Sequence, residues 1–363
     1  MNMKDFFNKW FDVENNDVKI HMSHDDLDGY GCHVVDYIYG VNSDMLCHGN
    51  PGNTSDATAR LNAVIRDEIE KMDDTDARNV LVTISDLSFT KKEIRRLLAI
   101  SSRVHIYLVD HHQTCPEYPE MENFRYLKDT TKCATMLLYE IALCVNKDIP
   151  IAPITPIMDA INCYDLGRWG NWMGLPYNEI SLALKLNIAK HLITNETRVS
   201  SGDVSTRDIV GYITKMMFTV AGHEDNKFFE KENELNVRLR IQDEIRWMRK
   251  ECARYINTAK AFTLPGLKAG LIIPDASRNF FVIAKELMEV TPNVPYVCSI
   301  YWKNMTISAC TTRDDLNLGE YFAKYGGGGH PKAAGCPFTQ VAFMMKHTES
   351  GSVAPAWLEE ERH

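Results

Sequence analysis

Val18-Lys19-Ile20-His21-Met22-Ser23-His24-Asp25-Asp26-Leu27-Asp28-Gly29 is a β-prone run that ends in a histidine and a group of carboxylates. Two later runs end in a similar way. Leu81 to Ile84 leads into Ser85-Asp86, and Val104 to Val109 leads into Asp110-His111-His112. Each is followed by a segment of helical character: Tyr30 to Tyr39, Lys91 to Ile100 and Thr131 to Cys144. Strands alternating with helices imply an α/β fold, a mostly parallel sheet covered on both faces. In such sheets ligands bind beyond the carboxyl ends of the strands. All three acidic clusters fall at those ends, so they are expected to converge on one edge as one site.

The residue types suit divalent cations. Asp26 and Asp28 alternate along an expected extended turn with His24 two residues earlier, which would put three side chains on one side of the backbone. Gly29 would let the chain turn sharply into the next helix. Carboxylate oxygen and imidazole nitrogen suit Mn2+ and related ions. A pair of such ions about 3.5–4 Å apart activates water and neutralises charge on a phosphoryl group. Asp86, central in sequence order, is the candidate bridge, with His111 as a ligand and His112 in support. Asp-x-Asp-Gly also suggests a calcium loop, but Val34 and Val35 stand near the place where its last acidic residue belongs. Read alone, Asp110-His111-His112 is equally a helix cap followed by surface histidines. His21, His33 and His48 read as packing or surface residues.

Composition bounds the rest. A chain of 363 residues suits two domains. It is 45% hydrophobic and 25% charged, ordinary values for a soluble globular protein. Ten cysteines without a Cys-x-x-Cys pair argue against a structural zinc or redox motif. The first residues lack the apolar core of a signal peptide, and no run is long enough for a membrane span. A cytoplasmic protein with reduced thiols is the expectation. The net charge of −9 argues against gripping long duplex nucleic acid, yet leaves room for a short nucleotide held by metals and local cations.

Further along, Asn195 to Asp208 reads as a polar loop. Phe228 to Tyr255, with Ile241, Ile245, Met248 and Cys252 at helical spacing, reads as a long amphipathic helix joining two domains, or else as a core helix of one larger domain. Strands are expected at Gly270 to Ile273, Tyr296 to Trp302 and Met305 to Cys310, and a helix at Arg278 to Val290. Then comes Gly326-Gly327-Gly328-Gly329-His330-Pro331-Lys332-Ala333-Ala334-Gly335. Backbone N–H groups in such a glycine run approach a phosphate closely, and His330 adds a hydrogen bond or a charge. The plainer alternative is a tight structural loop.

The whole set resembles the DHH phosphoesterase superfamily, named for Asp110-His111-His112, and the glycine stretch resembles its DHHA1 domain. Ser23-His24-Asp25-Asp26-Leu27-Asp28-Gly29-Tyr30-Gly31-Cys32 is similar to the nanoRNase (oligoribonuclease) branch. The resemblance spans about Ile20 to Cys336. It implies a catalytic domain over 1–195, a helical linker over 196–257, a smaller α/β DHHA1 domain over 258–345 and a tail over 346–363. It implies two Mn2+ ions, with Mg2+ as the alternative, on His24, Asp26, Asp28, Asp86, His111 and a fourth-motif aspartate. Met158-Asp159-Ala160-Ile161-Asn162-Cys163-Tyr164-Asp165 offers two aspartates, and Asp165 is nearer the family pattern. Asp110 and His112 would support catalysis, His112 by orienting the site or passing a proton to the leaving oxygen. Gly327, Gly328, Gly329 and His330 would hold substrate. Relatives carry Ser-Leu-Arg-Ser before the glycine loop; here the stretch is Ser308-Ala309-Cys310-Thr311, and Arg313 is the candidate substitute. The implied function is hydrolysis of short single-stranded RNA or dinucleotides to nucleoside monophosphates. Alternatives are a 3′-phosphoadenosine 5′-phosphate phosphatase, a cyclic or linear dinucleotide phosphodiesterase, and a catalytically silent nucleotide-binding protein. No interface is legible, though a homodimer is compatible with the family.

Overall fold

A computed structural model describes residues 1–48, 54–73, 75–145, 152–200, 205–222, 231–273, 279–302 and 305–339. The expected tail lies outside them. The chain divides into two units, Met1–Asp243 and Glu244–His363.

The first unit runs α1 (Met3–Phe11), β1 (Val18–His24), α2 (Leu27–Ile38), β2 (Asp44–His48), α3 (Thr54–Glu70), β3 (Val80–Ser85), α4 (Lys91–Leu98), β4 (Val104–Asp110), β5 (Phe124–Lys128), α5 (Ala134–Val145), α6 (Thr155–Asp165), α7 (Leu182–Ser200) and α8 (Thr206–Val220). The five strands lie in the order β2-β1-β3-β4-β5 and all pair in parallel. β1, β3 and β4 are the inner strands. Their apolar runs are buried almost throughout, as strands covered on both faces must be. Ile20, Met22, Val82, Ile84, Ile106 and Leu108 share one core with Leu61 and Ile65 of α3 and Ile94 and Leu97 of α4. α4 starts on a capping box: Thr90 Oγ1 accepts from the Glu93 amide, and the Glu93 carboxylate accepts from the Thr90 amide.

One expectation needs correcting. The segment read as a polar loop from Asn195 is helical up to Ser200, and α8 begins at Thr206 on a Ser205 cap. Polar residues within a helix look like loop when taken alone, and 201–204 lie outside the described residues.

α9 (Lys231–Thr258) is the long helix expected from its spacing, and the division between units falls inside it. The second unit continues with β6 (Lys260–Phe262), β7 (Gly270–Ile272), α10 (Phe280–Val290), β8 (Val297–Tyr301), β9 (Thr306–Cys310), α11 (Leu318–Ala323), β10 (Gly328–Gly329) and β11 (Ala333–Pro337). Its strands form a six-stranded sheet in the order β10-β11-β9-β8-β7-β6, over a core of Phe262, Tyr296, Ile300, Ile307, Phe322 and Phe338. Among the described residues no helix is long and apolar enough to cross a membrane.

Candidate metal centre

Parallel pairing brings the carboxyl ends of β1, β3 and β4 side by side, and with them His24, Asp86 and Asp110. Three groups of closely spaced ligand-type atoms form there: His24, Asp26 and Asp86; Asp28, His111 and Asp165; Asp86, Asp110 and His112. Asp86 belongs to two of them.

His24 Nδ1 lies 2.8 Å from Asp26 Oδ2 and 3.6 Å from Asp86 Oδ2. Asp26 and Asp28 do not sit on an extended turn. Asp26 is the N-cap of α2, accepting from the Gly29 amide at 2.9 Å, and Asp28 lies in the first helical turn. Gly29 makes no sharp turn either. It is inside α2, and a Cβ there would stand 2.0 Å from the His24 carbonyl oxygen. Glycine is required by close approach, not by an unusual φ. Asp28 is buried and accepts the Ala134 and Thr135 amides, each at 2.8 Å, so it also satisfies the start of α5.

His111 Nε2 is 3.1 Å from Asp86 Oδ1 and 3.4 Å from Asp28 Oδ2, while its Nδ1 is 3.4 Å from Asp165 Oδ2. Asp110 holds His112: its Oδ1 is 2.7 Å from His112 Nδ1 and also accepts the His111 and His112 amides. Its other oxygen accepts from Ser88 Oγ at 2.6 Å. Asp165 ends α6 beside this cluster, whereas Asp159 is exposed on the same helix.

Asp86 has φ 56°, the left-handed region that non-glycine residues seldom occupy. Such strain persists where the surroundings over-determine it, and it concentrates at functional sites. Here it turns the chain out of β3 with the carboxylate facing two ligand groups.

The electrostatics call for added positive charge. Five buried or half-buried carboxylates face three imidazoles. Even with every ring protonated the set stays negative. Burial, and then the charge of Asp86, push Asp28 up to about 6. Burial also pushes Asp165 well above the carboxylate range, with His111 opposing. Burial works against a charged His24, yet Asp26 and then Asp86 outweigh it and hold that ring well above the usual imidazole range. In the same way His112, His111 and Ser88 overcome burial at Asp110 and keep it below the usual carboxylate range. Asp86 Oδ2 is buried and accepts no hydrogen bond. Surplus buried carboxylate, imidazole nitrogen and an unsatisfied oxygen are what hard to borderline divalent cations such as Mn2+ satisfy.

Several residues escaped the sequence reading. Ser88 holds Asp110. Asn162 Oδ1 accepts the Cys133 amide at 2.8 Å, beside the start of α5. Lys190 of α7 is buried and donates to the Asp25 carbonyl at 2.7 Å, with Asp25 Oδ1 at 3.8 Å. A lysine inside an apolar helical stretch was the available signal for the last; the others had none. Removing the Ser88 hydroxyl (Ser88→Ala) loosens the Asp110 carboxylate that orients His112 and should lower turnover about tenfold or more with Mn2+ affinity little changed, since partners that orient functional groups carry effects of about 10–100-fold. Single-turnover assays read the first and calorimetric Mn2+ titration the second. Asp159→Asn should leave the same titration unchanged, while Asp165→Asn should not.

In the second unit the glycine run is half strand. Gly328 and Gly329 pair antiparallel with Gly335 and Ala334. The Gly326, Gly327 and His330 amides donate to Ala323, Phe322 and Ala333 carbonyls. Arg313 is forked onto Asp315 at the surface, with Nε 2.7 Å from Oδ1.

No protein-family model matches the chain. It is 24% identical over 343 residues to the oligoribonuclease NrnB of Bacillus subtilis (strain 168), spanning 92% of this chain and 76% of that protein. It is 25% identical over 167 residues to a 3′,5′-cyclic-nucleotide phosphodiesterase of Helicobacter pylori, spanning 42% of this chain and 46% of that protein. Among solved structures, a DHH domain described as belonging to a family of ribosomal proteins superposes with a TM-score of 0.55 at 12% identity, over 95% of this chain and 88% of that one. RecJ in complex with Mn2+ from Thermus thermophilus superposes with a TM-score of 0.50 at 11% identity, over 94% of this chain and 54% of that one. Both share the fold.

Proposed function

We propose that this chain, a member of the DHH/DHHA1 phosphoesterase superfamily by fold and by motif, is a divalent-metal-dependent phosphodiesterase that hydrolyses short single-stranded oligonucleotides to nucleoside monophosphates. The observation that carries the reading is the convergence of three strand-end clusters on Asp86. The likeness to NrnB across most of the chain supports the substrate class.

His24, Asp26, Asp28, Asp86, His111 and Asp165 would hold the cations, with Asp86 shared. Two ions such as Mn2+ supply Lewis acidity toward phosphoryl oxygens and acidify water. The protein's part is placement. Asp110 accepts from His112 Nδ1–H, which makes Nε2 the basic nitrogen of that ring and suits it to exchange a proton with the leaving oxygen. Ser88 and two backbone amides keep Asp110 from rotating. Water adds to phosphorus and gives up a proton, the bond to the neighbouring nucleoside's oxygen breaks, that oxygen takes a proton from His112 Nε2, and a nucleoside monophosphate leaves. We assign substrate holding to Gly327, Gly328, Gly329, His330 and Arg313 by resemblance. Arg313 would have to exchange its exposed Asp315 partner for a phosphate, and a solvent-screened surface pair gives way readily.

The test is a time course with Mn2+ on 5′-labelled RNAs from dinucleotide to twenty-four-mer. Rapid loss of the shortest RNAs is expected. No cleavage of any RNA would sink the substrate assignment and move the search to 3′-phosphoadenosine 5′-phosphate and cyclic dinucleotides.

A further inference from the structure

Behind the strand ends runs a chain of buried polar groups that the cation site does not use. Trp10 Nε1–H of α1 donates to Asp36 Oδ1 of α2 at 2.9 Å. Asp36 Oδ2 is 2.7 Å from His21 Nδ1 on β1, and His21 Nε2 is 2.7 Å from Ser85 Oγ on β3. Ser85 Oγ donates to Ser23 Oγ at 2.9 Å, and Ser23 Oγ donates back to the Ser85 carbonyl at 3.1 Å. All five residues are fully buried.

Serine, histidine and aspartate in this order have the connectivity of a nucleophilic triad. Nothing can reach this serine. Its surroundings are sealed from solvent and its hydroxyl is committed to Ser23. Burial of a polar chain also opposes stability relative to well-packed apolar residues of the same volume, so its contribution is better sought in the conformation it specifies.

That conformation is the next residue. Ser85 is gripped at both its hydroxyl and its carbonyl, which fixes the peptide plane leading into Asp86. Asp86 sits at φ 56° and its amide donates to the Val109 carbonyl at 3.0 Å. A left-handed aspartate relaxes toward ordinary backbone unless its surroundings over-determine it. Here the planar Ser85–Asp86 peptide is held at both ends, its N–H by the Val109 carbonyl and its C=O by Ser23 Oγ. The buried chain ties that peptide through β1 and α2 to Trp10 in the N-terminal helix.

We propose that Trp10, Asp36, His21, Ser85 and Ser23 are positioning residues that hold Asp86 in its left-handed conformation, so that its carboxylate stays shared between two ligand groups. This rests on the reading of Asp86 as a cation ligand. The experiment uses the full chain and Mn2+ alone as the probe. Ser85→Ala is compared with Ile84→Val, which trims a buried apolar neighbour on the same strand. Ser85→Ala should weaken Mn2+ binding about tenfold or more. It should lower kcat on short RNA with little change in KM, and speed hydrogen exchange of the Asp86 amide. Ile84→Val should lower Tm without those effects. Ser23→Ala, which removes the hydroxyl that binds the Ser85 carbonyl, should act in the same direction and takes over if Ser85→Ala does not fold. Equal Mn2+ binding and unchanged exchange at Asp86 in the serine variants would overturn the proposal. If the unmodified protein binds no Mn2+, the cation reading fails instead. The exchange arm then decides alone: faster exchange in the serine variants upholds positioning, and unchanged exchange overturns it.

Discussion

Asp86→Asn should cut turnover by about 10³-fold or more while leaving the protein folded, and in the absence of metal it should melt no lower than the unmodified chain. Asparagine is as much at home in the left-handed region as aspartate, so the backbone at φ 56° loses nothing. The buried carboxylate it removes is a source of repulsion. Its charge helps push Asp28 and Asp165 upward, and its pairing with His24, His111 and His112 offsets only part of that repulsion in a site already short of positive charge. An amide lifts part of that repulsion, a familiar exchange between stability and activity. Cation binding takes the opposite course. Asp86 has one oxygen beside His24 and the other beside His111, so both sides of the cation site lose its negative charge together. Charge neutralisation by such ions is worth several kcal/mol in the transition state, and about 4 kcal/mol corresponds to roughly 10³ in rate. Melting curves without metal, Mn2+ titration and single-turnover assays separate the two effects. Mn2+-dependent cleavage at near the original rate would remove Asp86 from the centre of the mechanism.

The sequence was legible where burial is uniform. β1, β3 and β4 are apolar runs closed in on both faces, and each ends in a chemically conspicuous residue, so fold and site could be read together. Edge strands carry weaker signals. β2 and β5 lie at the two margins of the sheet, and β5 is only partly buried beyond Phe124, so neither stands out from loop. α1 was missed because its apolar face, Phe6, Phe7, Trp10 and Phe11, sits in a short segment at the chain start. Within the site, residue types were visible and partners were not. Asp28 meets the Thr135 amide across 107 residues, and His21 meets Ser85 across 64. No local pattern encodes such pairs. His21 accordingly read as ordinary packing, although it sits in the middle of a polar chain. The side chain of His48 lies outside the described residues.

Gly29→Ala is the second large effect, and its sign runs against propensity. Alanine is the better helix former by up to about 1 kcal/mol, and Gly29 lies inside α2, so on local grounds the change should stabilise. The contacts decide otherwise. A Cβ at Gly29 would lie 2.0 Å from the His24 oxygen, 2.6 Å from its carbonyl carbon and 2.8 Å from its nitrogen. All three are backbone atoms and cannot swing aside. Either α2 moves off β1 or the His24–Asp28 segment moves out, and overpacking of this kind typically costs about 1–3 kcal/mol. In a unit of this size that lowers Tm by roughly 3–10 °C. The same displacement carries His24 and Asp26 away from Asp86, so Mn2+ affinity should fall with stability. Gly211→Ala in α8 is the matched control. Its Cβ would meet only Tyr37 side-chain atoms, at 3.4–3.6 Å, so Tm should hold or rise and Mn2+ binding should stay the same. If both alanines behaved alike, the close seating of α2 on the end of β1 would not be what sets the first motif in place.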